Sequence, residues 1–294
     1  MPSRALLILN PRSRKGAEAA SQARSCLLEL GLELVPDSTE TRGSPGELIA
    51  RYAGEVDRVI VGGGDGTLNA VVQELVGRKL PLGILPLGTA NNLARTLGVP
   101  LRLPDACEIG VRGLRRKIDL GWVNGRYYFT TASIGLSVRI TQALTRTTKR
   151  RWGPLAYAVA AARTLVGSRA FHADITWPGG ARHTRTVQIV IGNGRYYGGA
   201  LPVAEDAAID DAQLDLYSLE VRHWLELLTL VPSLRRGRHG SKESVEALRA
   251  TEFQITTVVP REINVDGEIS STTPAQFRVV PAALEVLGPL KSQG

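Results

Sequence analysis

The stretch Gly62-Gly63-Gly64-Asp65-Gly66-Thr67 constrains this chain more than any other segment. It follows Arg58 to Val61, a short apolar run that reads as a strand buried on both faces, and it precedes Asn69 to Val76, which reads as helix. A strand feeding a helix through glycines places the backbone N–H groups of Gly63, Gly64, Gly66 and Thr67 at a helix amino end starting near Gly66. Unpaired donors and the helix dipole stabilise an anion there. The loop is not a Walker A sequence, since no Lys follows its last Gly, nor a dinucleotide fingerprint, since Thr67 stands where the third Gly belongs. Asp65 is the informative departure. A carboxylate beside a bare phosphate repels it, so one reading shares Mg²⁺ between Asp65 and a nucleotide; the other is a tight turn with a solvated Asp.

Around this loop the chain alternates. Ala5 to Leu9 reads as strand, followed by a helix whose Ala20, Ala23, Leu27 and Leu30 share a face. Leu34-Val35, a helix opened by Ser44-Pro45-Gly46-Glu47 with capping-box spacing, the strand Leu82 to Leu85 and a helix from Thr89 to Leu97, stopped by Gly98 and Pro100, continue the pattern. Repeated strand–helix alternation predicts a doubly wound parallel sheet. Ligands of such sheets bind beyond the strands' carboxyl ends, where Asn10-Pro11 with Lys15, Thr39, and Gly88-Thr89-Ala90-Asn91-Asn92 would converge on the loop. Taken singly, each also reads as a cap or turn.

The pattern changes near residue 115. Lys117 to Val123 and Arg126 to Ser133 flank Asn124-Gly125, a strong hairpin signal. Arg169 to Trp177, Arg185 to Ile191, Gln213 to Leu219, Glu252 to Val258 and Glu262 to Val265 read as further strands, with helical insertions over 152–166 and 222–235. A β-sandwich or barrel-like domain fits this spacing. The two cysteines, Cys26 and Cys107, make neither a disulfide framework nor a thiolate metal site, which suits a reducing cytoplasm. No apolar run has the length of a signal core or of a bilayer span; the longest, Pro154 to Val166, is broken by Arg163. A formal net charge of +8 favours anionic partners. The four His residues show no ligand spacing.

Two acidic segments carry chemistry. In Val265-Asp266-Gly267-Glu268, Asp266 and Glu268 are candidates to accept the proton of a hydroxyl receiving a phosphoryl group; an ordinary Asp-Gly hairpin turn is the alternative. Asp210-Asp211-Ala212-Gln213-Leu214-Asp215 suits a hard cation such as Mg²⁺, or is a solvated acidic turn. Basic runs at Arg146 to Arg151, beside Trp152, and at Arg235 to Lys242 are solvated faces or docking patches for anionic lipid.

Together Asn10-Pro11 with Gly16, GGGDGTLNAVV, LGILPLGTANNLAR, IDLGWVNGRYY with its following SIG, and INVDGE resemble the diacylglycerol kinase catalytic-domain superfamily, which includes bacterial lipid kinases and sphingosine and ceramide kinases. The resemblance spans essentially the whole chain. It implies an α/β nucleotide domain related to those of NAD kinases and phosphofructokinases, over 1–120 and completed by 282–294, and a β-sandwich domain over 121–281. It implies ATP and Mg²⁺ as cofactors, with the nucleotide contacted by Asn10, Lys15, Thr39, Gly63, Gly64, Asp65, Gly66, Thr67, Leu68, Asn69, Thr89 and Asn91. A lipid hydroxyl of the diacylglycerol, phosphatidylglycerol or sphingoid type is the implied acceptor, with Glu268 or Asp266 as base. By the same resemblance Asp211, assisted by Asp210 and by backbone oxygens of Ala208 and Gln213, holds a structural cation, although Ala212 replaces the glycine usual at that turn. Asp119 matches an acidic position near the nucleotide metal. The implied setting is cytoplasmic with peripheral contact on an anionic membrane, and no nucleic acid is expected. The alternatives are an NAD kinase, whose Thr-Pro-Thr-Gly-Ser-type segment is missing, or a non-catalytic nucleotide or nucleic-acid module, against which scarce aromatics argue.

Overall fold

The computed structural model describes residues 3–9, 16–35, 44–143, 169–194, 196–197, 201–202, 207–220 and 245–289. The first half contains β1 (Arg4–Leu9), α1 (Gly16–Glu29), β2 (Glu33–Leu34), α2 (Pro45–Tyr52), β3 (Arg58–Gly63), α3 (Asp65–Arg78), β4 (Leu82–Pro86), α4 (Asn92–Thr96) and α5 (Leu103–Arg112). The second contains β5 (Leu114–Val123), β6 (Arg126–Tyr128), β7 (Thr131–Gly135), α6 (Leu136–Ala143), β8 (Phe171–Trp177), β9 (Gly180–Thr186), β10 (Gln188–Gly192), β11 (Tyr196–Tyr197) and β12 (Leu201–Pro202). It ends with β13 (Leu214–Leu219), β14 (Val245–Ala250), β15 (Glu252–Thr257), β16 (Glu262–Val265), β17 (Glu268–Thr272) and β18 (Ala275–Gly288).

Strands β2, β1, β3, β4 and the end of β18 lie side by side in parallel. The chain leaves β1 toward one edge and returns to the other side through β3, so the order reverses between β1 and β3 and opens a crevice at their carboxyl ends. β3 and β4 are buried along their whole length because helices cover both faces, which is why they read as unbroken apolar runs. Helix α1 turns Ala19, Ala23 and Leu27 onto the sheet, with Ala20 only half-buried. The capping box forms as expected: Ser44 Oγ accepts the Glu47 N–H, and Glu47 Oε2 accepts the Ser44 N–H at 2.8 Å.

The second half is an antiparallel sandwich. The sheet β14-β13-β10-β7-β16-β17 packs against β5, β6, β8, β15 and β18, and its core interleaves Ile134, Ile191 and Leu216 from one layer with Phe171, Phe253 and Phe277 from the other. The ribbon of β5 and β18 serves both halves: Ile118, Leu120, Leu284 and Val286 belong to the first core, Val123, Phe277 and Val279 to the second.

Several sequence expectations are corrected. The helix expected over Thr89 to Leu97 is only five residues long, because Asn91 adopts a left-handed φ of 51° and Thr89 and Ala90 form the turn before it. The strand expected from Arg126 to Ser133 breaks at Phe129-Thr130, whose amides are drawn onto a distant carboxylate described below. Arg185 to Ile191 divides at Val187 between β9 and β10. Strand β14 escapes sequence reading because VEALRA is composed largely of helix formers, and β18 because Pro281 interrupts it; the proline sits at a bulge where pairing shifts between Val280 and Leu284. The insertions at 152–166 and 222–235 and both basic runs lie outside the described residues. Among the described residues no helix is long and apolar enough to cross a membrane.

Candidate active site

Helix α3 starts at Asp65, one residue before the expected point, so Gly62 and Gly63 complete β3 and Gly64 is the N-cap. Gly64 supplies no side-chain cap, and the Thr67 N–H bonds the Gly64 carbonyl at 2.9 Å. The amides of Asp65 and Gly66 are then the first two of a fourteen-residue helix, the ones with no intrahelical acceptor. Gly66 is exposed with open space at its Cα, whereas Leu68 and Asn69 turn inward and are buried, so their side chains shape the loop from beneath.

The loop is pressed against the turn after β4. A Cβ on Gly88 would lie 2.4 Å from the Gly64 Cα, so glycine at 88 is required by backbone meeting backbone. Asn91 holds that turn, its Oδ1 accepting the Gly88 N–H at 3.0 Å and its amide donating to the carbonyls of Gly88 and Pro86. Thr89 is exposed at the tip. Asp65 reaches across: its Oδ1 accepts the Leu93 N–H at 3.2 Å in the first turn of α4. That bond uses one oxygen of a carboxylate that can accept several partners. Asn10, Lys15 and Thr39 lie outside the described residues.

Helix α4 leads from this loop toward the sandwich. A Cβ on Gly194 would lie 3.6 Å from both the Thr96 methyl and the Phe129 carbonyl oxygen. Phe129 begins the break between β6 and β7, and that break is held by Asp266. Its Oδ2 accepts the Phe129 N–H at 2.7 Å, while its Oδ1 accepts the N–H groups of Thr130 and Thr131, each at 3.0 Å, and the Thr130 hydroxyl at 2.7 Å. Burial pushes the Asp266 carboxyl above the usual carboxylate range, against the pull of these four donors. Asp266 (φ 47°) and Gly267 (φ 94°) form the two-residue turn joining β16 to β17, with Val265 opposite Glu268. The turn therefore separates the two candidate carboxylates: Asp266 points into the fold and Glu268, the first residue of β17, is exposed.

Asp119 has a similar structural commitment. Its Oδ2 accepts the Ala212 N–H at 2.6 Å and its Oδ1 the Ala282 N–H at 2.8 Å, fixing two alanines that both hold positive φ. Ala212 thus adopts the left-handed geometry (φ 57°) suited to glycine, and the turn is kept despite the substitution. Nearby, Asp210 pairs with Arg116 at 3.1 Å, Asp215 with Arg249 at 2.7 Å, and Asp211 Oδ1 accepts the Gln213 N–H. Burial raises the Asp211 carboxyl, the Gln213 N–H lowers it, and Asp215 raises it further. The donor set fits a hard cation only through Asp211 and neighbouring carbonyls, because the other carboxylates are engaged. No cluster of three or more His, Cys, Asp or Glu side chains with metal-holding geometry exists among the described residues.

The sequence also gave no sign of a thiol pair: Cys26 of α1 and the buried Cys107 of α5 meet side chain to side chain, and burial together with Cys26 pushes the Cys107 thiol up.

A parallel α/β half with an uncapped helix amino end after a central strand, followed by an antiparallel sandwich half with an acidic turn one short helix away, defines the class of fold. Residues 4–123 match the family Diacylglycerol kinase catalytic domain, and residues 130–288 match the YegS C-terminal NAD kinase beta sandwich-like domain; the chain belongs to this family. It is 32% identical over 293 residues, 95% of each chain, to a Yersinia enterocolitica protein named "Probable lipid kinase YegS-like". It is also 32% identical over 299 residues to a diacylglycerol kinase of Mycobacterium tuberculosis, covering 96% of this chain and 94% of that one. A crystal structure of a diacylglycerol kinase from Bacillus anthracis superposes with a TM-score of 0.80 at 24% identity, over 98% of this chain and 97% of that one, and shows the same fold.

Proposed function

We propose that this protein transfers the γ-phosphate of ATP to a lipid hydroxyl, with diacylglycerol the first acceptor to try given the relatives' names. The observation that carries the reading is the open amino end of α3, pressed onto Gly88 and backed by no side-chain cap, which suits a polyphosphate. Asp65 keeps an oxygen beyond its bond to Leu93 and would hold Mg²⁺, whose charge offsets that of the β- and γ-phosphates. Glu268 is the proton acceptor in this reading. A general base needs a lone pair within reach of the hydroxyl, and the four donors on Asp266 leave it little capacity, whereas the exposed Glu268 stands two residues further on. Asp266 instead fixes the Phe129–Thr131 break beside Gly194 and so positions Glu268 relative to α4. Asp211, with carbonyls of Ala208 and Gln213, would hold a structural cation; Asp210 is committed to Arg116.

Purified protein incubated with labelled ATP, Mg²⁺ and a panel of diacylglycerol, phosphatidylglycerol, sphingoid base, NAD and sugar phosphate tests the proposal. Label in a lipid, lost in Glu268→Gln, is expected. Label in NAD instead, or a fully active Glu268→Gln, overturns it.

A further inference from the structure

The sandwich carries a second feature that phosphoryl transfer does not use. A cleft of about 750 Å³ opens between α6, the start of β16 and the edge of β8, and three guanidinium side chains line it: Arg139, Arg169 and Arg261. Among the described residues Glu262 is the single carboxylate in the lining, so there three positive charges face one negative, a local charge of +2. Gln142 donates to Glu262. Arg261 is held in place: its guanidinium lies 4.2 Å over the Phe171 ring, its N–H donates to Thr273 Oγ1 and its carbonyl accepts the Thr273 N–H, each at 2.9 Å. Burial and the nearby Arg139 both work against its charge, a repulsion that a bound anion relieves. The rest of the lining among the described residues is apolar, including Leu136, Val138, Val187 and Pro260.

Immediately before Pro260 and Arg261 stand Val258 and Val259, exposed by 88% and 65%. They exceed every other exposed large hydrophobic among the described residues; the next, Leu114, reaches 50%. Two apolar side chains at the tip of a turn, beside a cationic cleft with greasy walls, complement a surface that is anionic outside and hydrocarbon inside. An acidic protein would match the arginines but would leave a protruding valine pair without a matching hydrocarbon phase.

We propose that the Val258–Val259 tip and the arginine cleft together dock the protein on a bilayer containing acidic phospholipid, the valines entering the interface while the guanidinium groups hold phosphate headgroups. This end of the sandwich is separate from the Asp266 turn. Strand β7 runs from Thr131, which pairs beside Asp266, to Gly135, which lines the cleft, four steps or roughly 13 Å away. Docking and phosphoryl transfer can therefore be perturbed independently.

Flotation of the full chain with vesicles of phosphatidylcholine alone, or mixed with phosphatidylglycerol, tests the inference without ATP or substrate. Binding to acidic vesicles only, weakened by salt, is expected. Arg169→Gln and Arg261→Gln should each lower the partition coefficient about fivefold, and Val258→Ser with Val259→Ser about tenfold. The valine pair is exposed, so its replacement leaves folding intact, and unchanged thermal melts verify this for all variants. Phosphorylation of a short-chain lipid dispersed in detergent should stay at the wild-type rate in each. Equal binding to neutral vesicles, or full binding by the variants, overturns the docking surface. Failure of the kinase reading would leave the flotation result standing.

Discussion

Asp266→Asn separates structural from chemical roles in the acidic turn. Asn tolerates the φ of 47° as Asp does, so the backbone is not strained by the change. One side-chain oxygen can keep the three donors from Thr130 and Thr131, but the amide nitrogen then faces the Phe129 N–H, which now lies 2.7 Å from Oδ2. A charge-assisted bond worth about 1.5–3 kcal/mol is lost, a buried donor goes unpaired, and three remaining bonds become neutral. The sum is about 3–5 kcal/mol, in line with removing one partner of a buried charged group. That is a large share of a total stability of about 5–15 kcal/mol. Trp122 stands in β5 and Trp177 in β8, so fluorescence during urea unfolding follows the sandwich half where the loss occurs. Glu268→Gln, at an exposed position, should shift the midpoint by less than about 0.5 kcal/mol while abolishing transfer. An Asp266→Asn protein with the wild-type midpoint and no activity would refute the reasoning and make Asp266 the proton acceptor.

Other consequences are equally direct. Ala212→Gly relieves a left-handed alanine, a gain of about 1–2 kcal/mol offset by about 0.4–1 kcal/mol of added chain entropy, so a net rise of about 0.5–1 kcal/mol in unfolding free energy is expected; a fall would mean the turn is not left-handed. Gly88→Ala drives a methyl into the Gly64 backbone, which cannot swing away as a side chain would; a loss of about 1–3 kcal/mol is expected, together with loss of any thermal shift on adding ATP. Native protein should titrate fewer than two thiols with a disulfide reagent and both after unfolding, because burial keeps Cys107 protonated; rapid labelling of both in the native state contradicts the Cys26–Cys107 contact.

Much of the architecture was legible because its determinants are local. The apolar runs of β3 and β4, the Ser44–Glu47 box and the Asn124-Gly125 turn each depend on a handful of consecutive residues, and each formed where the sequence placed it. The elements that escaped, such as β14 and β18, have strand geometry imposed by their neighbours against their own composition. The same division runs through the site. Glycines and a helix start mark the proposed phosphate loop from sequence alone, since a strand, a glycine turn and a helix suffice to aim amides at an anion. What each carboxylate does was decided elsewhere. Asp266 is bound by residues 135 to 137 positions away and Asp119 by residues 93 and 163 positions away, so whether an acidic side chain clamps the fold or faces solvent depends on which amides the tertiary structure brings to it. The arginine cleft is a further case, since its three arginines come from three separate segments that meet only when the two sheets close on each other.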